Sequence, residues 1–348
     1  MLCKFLNQVR GKCVERIKLR LAPRLEVQFA DRELALKRME EWAREGVVDV
    51  QLVYGPEGCG KTAWLRQSVA LLKELGFDVI YLNPLEREIA AEVGVGDVKR
   101  RIAEILREAT DEAWARVAWA TVDLAKELIR TGRRKIAVLA DDVFQAIGLH
   151  KAAAYVKGLL GLIEYPPRSV DVVVAVVATS EGLTRREIGR HRWASHRPIW
   201  NMPRDGFIQL YGQIPGEKPL FEEVWRATGG NPKLLGELYK AGWSAEKALR
   251  EIADERRITA FVKTLRDEER ELLRRAVDDP DVLYTREGIP LMERLADLNL
   301  IVDTLPERDP WFWAGEPPPE RDPELGIGRH IAWQTPLHRE AVRRALGG

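Results

Sequence analysis

The chain has 348 residues, 45% of them hydrophobic and 31% charged, with a formal net charge of +1. That length supports two or three domains and a substantial core, and the near-neutral balance excludes a global attraction to nucleic acid or membrane. Three cysteines (Cys3, Cys13, Cys59) make no disulfide framework or zinc spacing, and neither an 18-residue apolar run nor a signal-peptide core occurs, so a cytoplasmic protein with no membrane span is expected.

Residues 1–24 stand apart by charge, with seven Lys and Arg against the single acid Glu15. Leu2, Phe5, Leu6, Val9, Cys13 and Ile17 recur at helical spacing, which predicts a basic amphipathic helix ended by Pro23. Such a helix packs on its own protein or docks on an anionic surface. Phe29-Ala-Asp-Arg-Glu33 then leads into a helix reaching about Glu45, with Asp31 as its N-cap.

Val47 to Tyr54 reads as a buried strand that breaks into Gly-Pro-Glu-Gly-Cys-Gly-Lys-Thr at 55–62 and opens a helix. Gly55, Gly60, Lys61 and Thr62 fill the pattern G-x-x-x-x-G-K-[ST]. Glycines let successive backbone N–H groups curl around one phosphate chain, and a helix N-terminus adds partial positive charge behind them. Lys61 suits the β- and γ-phosphates as a mobile point charge, and the Thr62 hydroxyl is a hard oxygen ligand for Mg²⁺. The candidate nucleotide contacts are therefore Gly55, Pro56, Glu57, Gly58, Cys59, Gly60, Lys61, Thr62 and Ala63.

The following helix runs to Leu75, and Asp78 to Asn83 is a short apolar strand. A helical stretch covers roughly residues 98–131. Lys135 to Asp142 is an apolar strand ending in two acids. Beside a P-loop such a pair divides the work, with Asp141 holding Mg²⁺ through its water shell and Asp142 orienting or deprotonating the attacking water. A helix over 144–163 precedes the β-branched strand 170–180, whose terminal Thr179 and Ser180 can present a hydroxyl to the γ-phosphate. Arg185, Arg186, Arg190, His191, Arg192 and Arg197 follow closely. Arg190 and Arg192 are the better arginine-finger candidates, from this chain or a neighbour, against the alternative of a solvated helix face. Residues 206–214 read as a fifth strand. Strands alternating with helices imply right-handed βαβ units and a parallel sheet.

From Pro219 the pattern is helical, with segments 219–228, 232–241 and 244–256 punctuated by Gly229-Gly230-Asn231-Pro232 and Gly242. Beyond 257, helices over 268–277 and 288–297 precede two strands, 299–304 and 330–334, and a closing helix, 338–346. Helices followed by a two-stranded ribbon suggest a winged helix.

In five stations taken in order, the chain resembles an archaeal ATPase of the STAND and AAA+ groups, related to the archaeal origin-recognition ATPases. The stations are residues 29–33, the P-loop at 55–62, Asp141-Asp142, Thr179-Ser180 and the turn at 229–232, so the resemblance covers about residues 27–256. It implies that Pro232 packs near the adenine and that Phe29, Asp31 and Arg32 flank the base from the other side. Arginine-rich basic residues with scarce Met and Cys lean towards a thermophile. The chain departs from many relatives at Asp142, where they carry Glu. One methylene fewer positions water less well, so slow hydrolysis is expected.

The expected fold class is α/β, a P-loop NTPase core with a parallel five-stranded sheet. Its domains are a basic segment (1–26), the core (27–214), a helical lid (215–256) and a winged-helix-like domain (257–348). Two purposes stand. One is a Mg-dependent regulatory ATPase switch with ATP or ADP as its ligand and a protein partner or self-association. The other is a DNA-binding origin- or transcription-type ATPase. Residues 255–348 carry 15 Lys and Arg against 19 Asp and Glu, about −4 net, which favours a protein partner over DNA.

Overall fold

The computed structural model describes residues 8–9, 12–92, 111–180, 188–189 and 192–347. They group into two compact units, one of residues 1–17, 33–54 and 61–197, the other of residues 18–32, 55–60 and 198–348.

The N-terminal chain is extended, which corrects the expected helix; residues 1–7, 10 and 11 lie outside the described residues. Gln8–Val9 (β1) pairs with Lys12–Cys13 (β2), and Lys18–Ala22 (β3) with Leu25–Gln28 (β4), both antiparallel. The reason is a period of two that overrides the looser helical spacing. Lys18, Arg20, Glu26 and Gln28 face solvent, while Ala22, Leu25 and Val27 are buried. Pro23 and Arg24, the latter at φ 63°, make the tight turn between them. In the first unit, residues 14–17 pack on their own protein: the Ile17 N–H donates to Gln67 Oε1 and Gln67 Nε2 donates to the Glu15 carbonyl, each at 2.9 Å.

The first unit is built on one sheet. Val50–Tyr54 (β5), Asp78–Asn83 (β6), Glu88–Glu92 (β7), Lys135–Asp141 (β8), Val172–Thr179 (β9) and Ala194–Pro198 (β10) lie in the order β10-β5-β9-β8-β6-β7. β10, β5, β9, β8 and β6 form the parallel sheet of an α/β P-loop NTPase, and β7 adds an antiparallel edge to β6. The fifth strand is thus Ala194–Pro198, and residues 206–214 are not a strand. Helices cover both faces, as strands buried on two sides require. Glu33–Glu45 (α1) and Lys61–Glu74 (α2) pack together, with Trp42 and Trp64 meeting edge-on at 6.4 Å. Asp111–Arg130 (α3), Val143–Ile147 (α4) and Leu149–Glu164 (α5) close a second core with Leu52, Ile80, Val138 and Val177. The expected helix 144–163 is broken at Gly148, and residues 98–110 of the expected helix before it lie outside the described residues. Helix α1 begins at Glu33, so Asp31 is one residue too early to be its N-cap.

In the second unit the chain continues as Arg204–Gly212 (α6), Phe221–Thr228 (α7), Pro232–Lys240 (α8), Ala245–Glu255 (α9), Ile258–Lys263 (α10), Asp267–Asp278 (α11) and Ile289–Asp297 (α12). Ile301–Val302 (β11) pairs antiparallel with Ala332–Trp333 (β12), and Pro336–Gly347 (α13) closes the chain. One hydrophobic core runs through all of it, from Leu25 and Val27 of the hairpin through Leu235 and Leu249 to Leu273, Leu295 and Val342. The ribbon strands expected at 299–304 and 330–334 are present, shortened to two residues each.

Candidate nucleotide site

The C-terminal ends of β5, β8 and β9 lie side by side, the usual place for a ligand in an open α/β sheet. Tyr54 pairs with Thr179, and Asp141 with Ala178. Strand β8 therefore delivers Asp141 to the same edge from which α2 starts at Lys61. Asp141 is wholly buried; its Oδ2 accepts from Tyr81 Oη at 3.2 Å and Asn83 Nδ2 at 3.1 Å, both from β6. Its Oδ1 is buried and makes no hydrogen bond. Burial, with the Asp142 charge added, pushes the Asp141 carboxyl up to about 7, opposed by the nearby Thr62 hydroxyl and Lys61 ammonium. An under-satisfied buried carboxylate beside a hydroxyl and a cation is a site waiting for a positive partner. Lys61 is 5% exposed. Asp142 follows β8 at φ 46°, half-buried, with its N–H donating to the Ala178 carbonyl at 3.0 Å. Thr179 is buried, and Ser180 is half-buried just beyond it.

The loop at 55–60 is described with the second unit. Gly55 is obligatory, because a Cβ there falls 1.9 Å from the Ile199 carbonyl oxygen. At Gly58, φ is 74° and a Cβ falls 2.3 Å from Lys233 Cβ; no other residue fits that position. A turn closes the loop, with the Cys59 N–H donating to the Pro56 carbonyl at 3.2 Å. Arg32 Nη2 donates to the Cys59 carbonyl, while Arg32 Nη1 is buried without a hydrogen-bond partner. Phe29 is buried, and Asp31 and Arg32 are both in the left-handed backbone region. Pro232 opens α8 after Asn231, whose Oδ1 caps the helix by accepting from the Leu234 N–H at 3.1 Å. A Cβ on Gly60 would meet both Arg32 and Pro232 at ordinary contact distance. Of the residues that the resemblance assigned to the base, these two thus approach the loop together.

Arg192 is exposed at a turn, and its neighbour Trp193 accepts from the Val50 N–H at 3.3 Å. That places Arg192 beside the first residue of β5, at the end of the sheet opposite Tyr54 and Asp141. Arg190 lies outside the described residues, as do Arg185 and Arg186. Among the described residues no group of three His, Cys, Asp or Glu side chains gathers around a metal position. Mg²⁺ takes few protein ligands and keeps phosphates and waters, so Thr62 and Asp141 are the residues that could hold one.

Sequence reasoning missed the polar frame. Tyr81 and Asn83 fix Asp141, and the only signal for them was a polar residue closing an apolar strand. Asn201, Asn231 and Gln334 form a buried chain: Asn231 Nδ2 donates to Asn201 Oδ1 at 2.9 Å, and Asn201 Nδ2 to the Gln334 carbonyl at 3.0 Å. Nothing local in the sequence announced that these three meet.

The model of an ATPase domain predominantly from Archaea matches residues 29–238. Three solved structures are similar at low identity. The Aeropyrum pernix ORC2 protein in its ADP form is 14% identical, with 91% of this chain and 93% of that one covered and a TM-score of 0.40. The Aeropyrum pernix ORC1 protein in complex with DNA is 16% identical, with 92% of each covered and a TM-score of 0.36. The replication initiator DnaA bound to AMPPCP and single-stranded DNA is 14% identical, with 76% of this chain and 93% of that one covered, also at 0.36. No curated protein matches the sequence. No helix among the described residues is long and apolar enough to cross a membrane. With its P-loop, its acidic strand end and the turn at 229–232 all inside the matched span, the chain belongs to the family of ATPase domains found predominantly in Archaea.

Proposed function

We propose that the chain is a Mg-dependent ATP-binding protein with slow ATPase activity, acting as a nucleotide-controlled switch for a protein partner. The observation that carries this reading is Asp141, a buried carboxylate with one oxygen unbonded, beside Thr62 and Lys61 at the strand end that follows the P-loop in the fold. Hard oxygen donors of this kind fit Mg²⁺, held by Thr62 and Asp141, where it would neutralise charge on the β- and γ-phosphates. Lys61 supplies the mobile cation for the same phosphates. The backbone of 58–62 cradles them, and the unpaired Arg32 Nη1 fits a loop that carries an anion. Asp142 is the group left to orient the attacking water or accept its proton, a role its short side chain performs slowly. Thr179 and Ser180 stand at the same sheet edge as hydroxyl donors. Arg192, at the far end of the sheet, would serve as a finger only towards a neighbouring subunit, against the alternative of a solvated surface side chain.

The C-terminal helices and the β11–β12 ribbon support a winged-helix-like partner module. Its net negative charge speaks for protein rather than DNA. Titration with ATP and ADP, with and without Mg²⁺, tests the reading. The parent is expected to bind both, more tightly with Mg²⁺, and Lys61→Ala to lose at least about tenfold while its melting curve is kept. Equal affinities in parent and variant sink the proposal. ATPase rates with and without DNA, and oligomeric state in ATP and ADP, separate the two purposes.

A further inference from the structure

Glu57 occupies a variable position of the loop, where nothing in phosphate binding calls for an acid. A carboxylate there repels a triphosphate. Yet every polar atom of Glu57 has a specific partner in the second unit. Its N–H donates to Gln334 Oε1 at 2.8 Å, and its carbonyl accepts from Asn231 Nδ2 at 2.8 Å. Its Oε1 accepts from Lys233 Nζ at 2.7 Å, and its Oε2 from Arg256 Nη2. The next residue joins in, because the Gly58 carbonyl accepts from the Lys233 N–H at 3.2 Å. The partners come from the first turn of α8, the C-cap of α9 and the residue after β12.

We propose that Glu57 is a positioning residue, a latch that ties the loop to Lys233, Arg256 and Gln334 and competes with a triphosphate for the two cations. The proposal rests on the reading of residues 55–62 as a nucleotide loop. One carboxylate against two cations leaves a single positive charge at this side of the loop, so any share of Lys233 and Arg256 given to a γ-phosphate beside Lys61 is taken from Glu57. Burial raises the Glu57 carboxyl, but the Lys233 hydrogen bond and the charges of Lys233 and Arg256 hold it at about 2, so it stays ionised at any working pH. His338 adds no third cation: burial and the Arg256 charge push its pKa down to about 3. The latch joins three elements through one residue, so releasing it loosens the loop from α8, α9 and the ribbon together. Loop occupancy is thereby passed to the C-terminal elements.

The test compares the full-length parent with Glu57→Gln, Lys233→Gln and the double variant. Two readouts are taken: ATP and ADP affinities, and amide exchange over 229–240 and 330–338 without nucleotide. Glu57→Gln is expected to bind ATP about 3- to 10-fold more tightly, ADP within about twofold of the parent, and to exchange faster in both segments. Lys233→Gln is expected to lose ATP affinity more than ADP affinity, and the double variant to recover part of that loss. An unchanged ATP-to-ADP preference in Glu57→Gln, or additive effects in the double variant, overturns the latch. If Glu57→Gln does not fold, Lys233→Gln decides alone, and equal losses for ATP and ADP overturn the proposal. A merely structural role moves the melting point but not that preference. A parent that binds neither nucleotide overturns the reading of the loop itself, which the latch presupposes.

Discussion

Asp141 and Asp142 are neighbours in sequence and opposites in setting. Asp141 ends β8 fully buried and bonded to Tyr81 and Asn83. Asp142 turns out of the strand at φ 46° and stays half-buried. Their isosteric amides should therefore fail differently. Asp141→Asn is expected to weaken Mg²⁺-dependent ATP binding by about tenfold or more. Asp142→Asn should bind as the parent does and turn over about 100-fold more slowly. Binding titrations with and without Mg²⁺, together with single-turnover rates, check the split; parent rates in both variants would make the acidic pair structural. Two acids closing an apolar strand were legible because charge at a buried strand end needs a purpose. Tyr81 and Asn83 were not, since their role depends on β6 lying next to β8, a pairing between residues 58 and 60 positions apart.

Among the elements, those with strong local grammar were readable from the sequence. β8 and β9 are unbroken apolar runs, and α8 begins at Asn-Pro after two glycines. Two segments with weak grammar misled. Residues 206–214 offer Phe207 and Leu210 to a core, a spacing of three that a helix buries on one face, with Ile214 buried just past its end. The N-terminal segment offers both periods, and contact with α8 selected the extended one: a Cβ on Gly236 would lie 2.4 Å from the Leu21 carbonyl oxygen. Helix α13 carries a consequence for pH. His338 is buried in its first turn and shares a 2.7 Å hydrogen bond with Thr335 Oγ1. Burial first, then the Arg256 charge, push its pKa from 6.5 down to about 3. The unfolded chain therefore takes up the proton first as pH falls. The stability linked to His338 is complete above pH 6.5 and drains away towards pH 3. Between pH 7 and pH 5 the loss is about 2 kcal/mol. Urea unfolding at the two pH values should show it, and His338→Gln should flatten the difference; a variant as pH-sensitive as the parent would clear His338 of the effect.

Across the whole molecule a net charge of +1 hides a division of sign. Residues 1–24 hold seven Lys and Arg against one acid, and residues 255–348 hold 15 against 19. Not all of the arm's charge is available. Arg16 is paired with Glu33 at 2.5 Å, while Lys18 and Arg20 stand exposed on β3. On α12, the helix that a winged-helix reader would offer to a groove, Arg294 is already committed. Its guanidinium donates to Glu269 Oε1 at 3.0 Å and Thr264 Oγ1 at 2.9 Å, and it stacks over Phe261. Duplex DNA is thus expected to bind weakly, at low salt, and through the arm. Deleting residues 1–24 would be a poor test, because it removes Ala22 from the core of the second unit. Lys18→Gln with Arg20→Gln keeps the apolar face and removes two charges. Each cation that meets a phosphate releases about one counterion, so the slope of log affinity against log salt should fall by up to about 2. Arg286→Gln on the approach to α12 should leave both affinity and slope unchanged. DNA binding that survives the arm variant but collapses with Arg286→Gln would move the anionic surface to the C-terminal module and favour the DNA-binding purpose over the protein-partner switch.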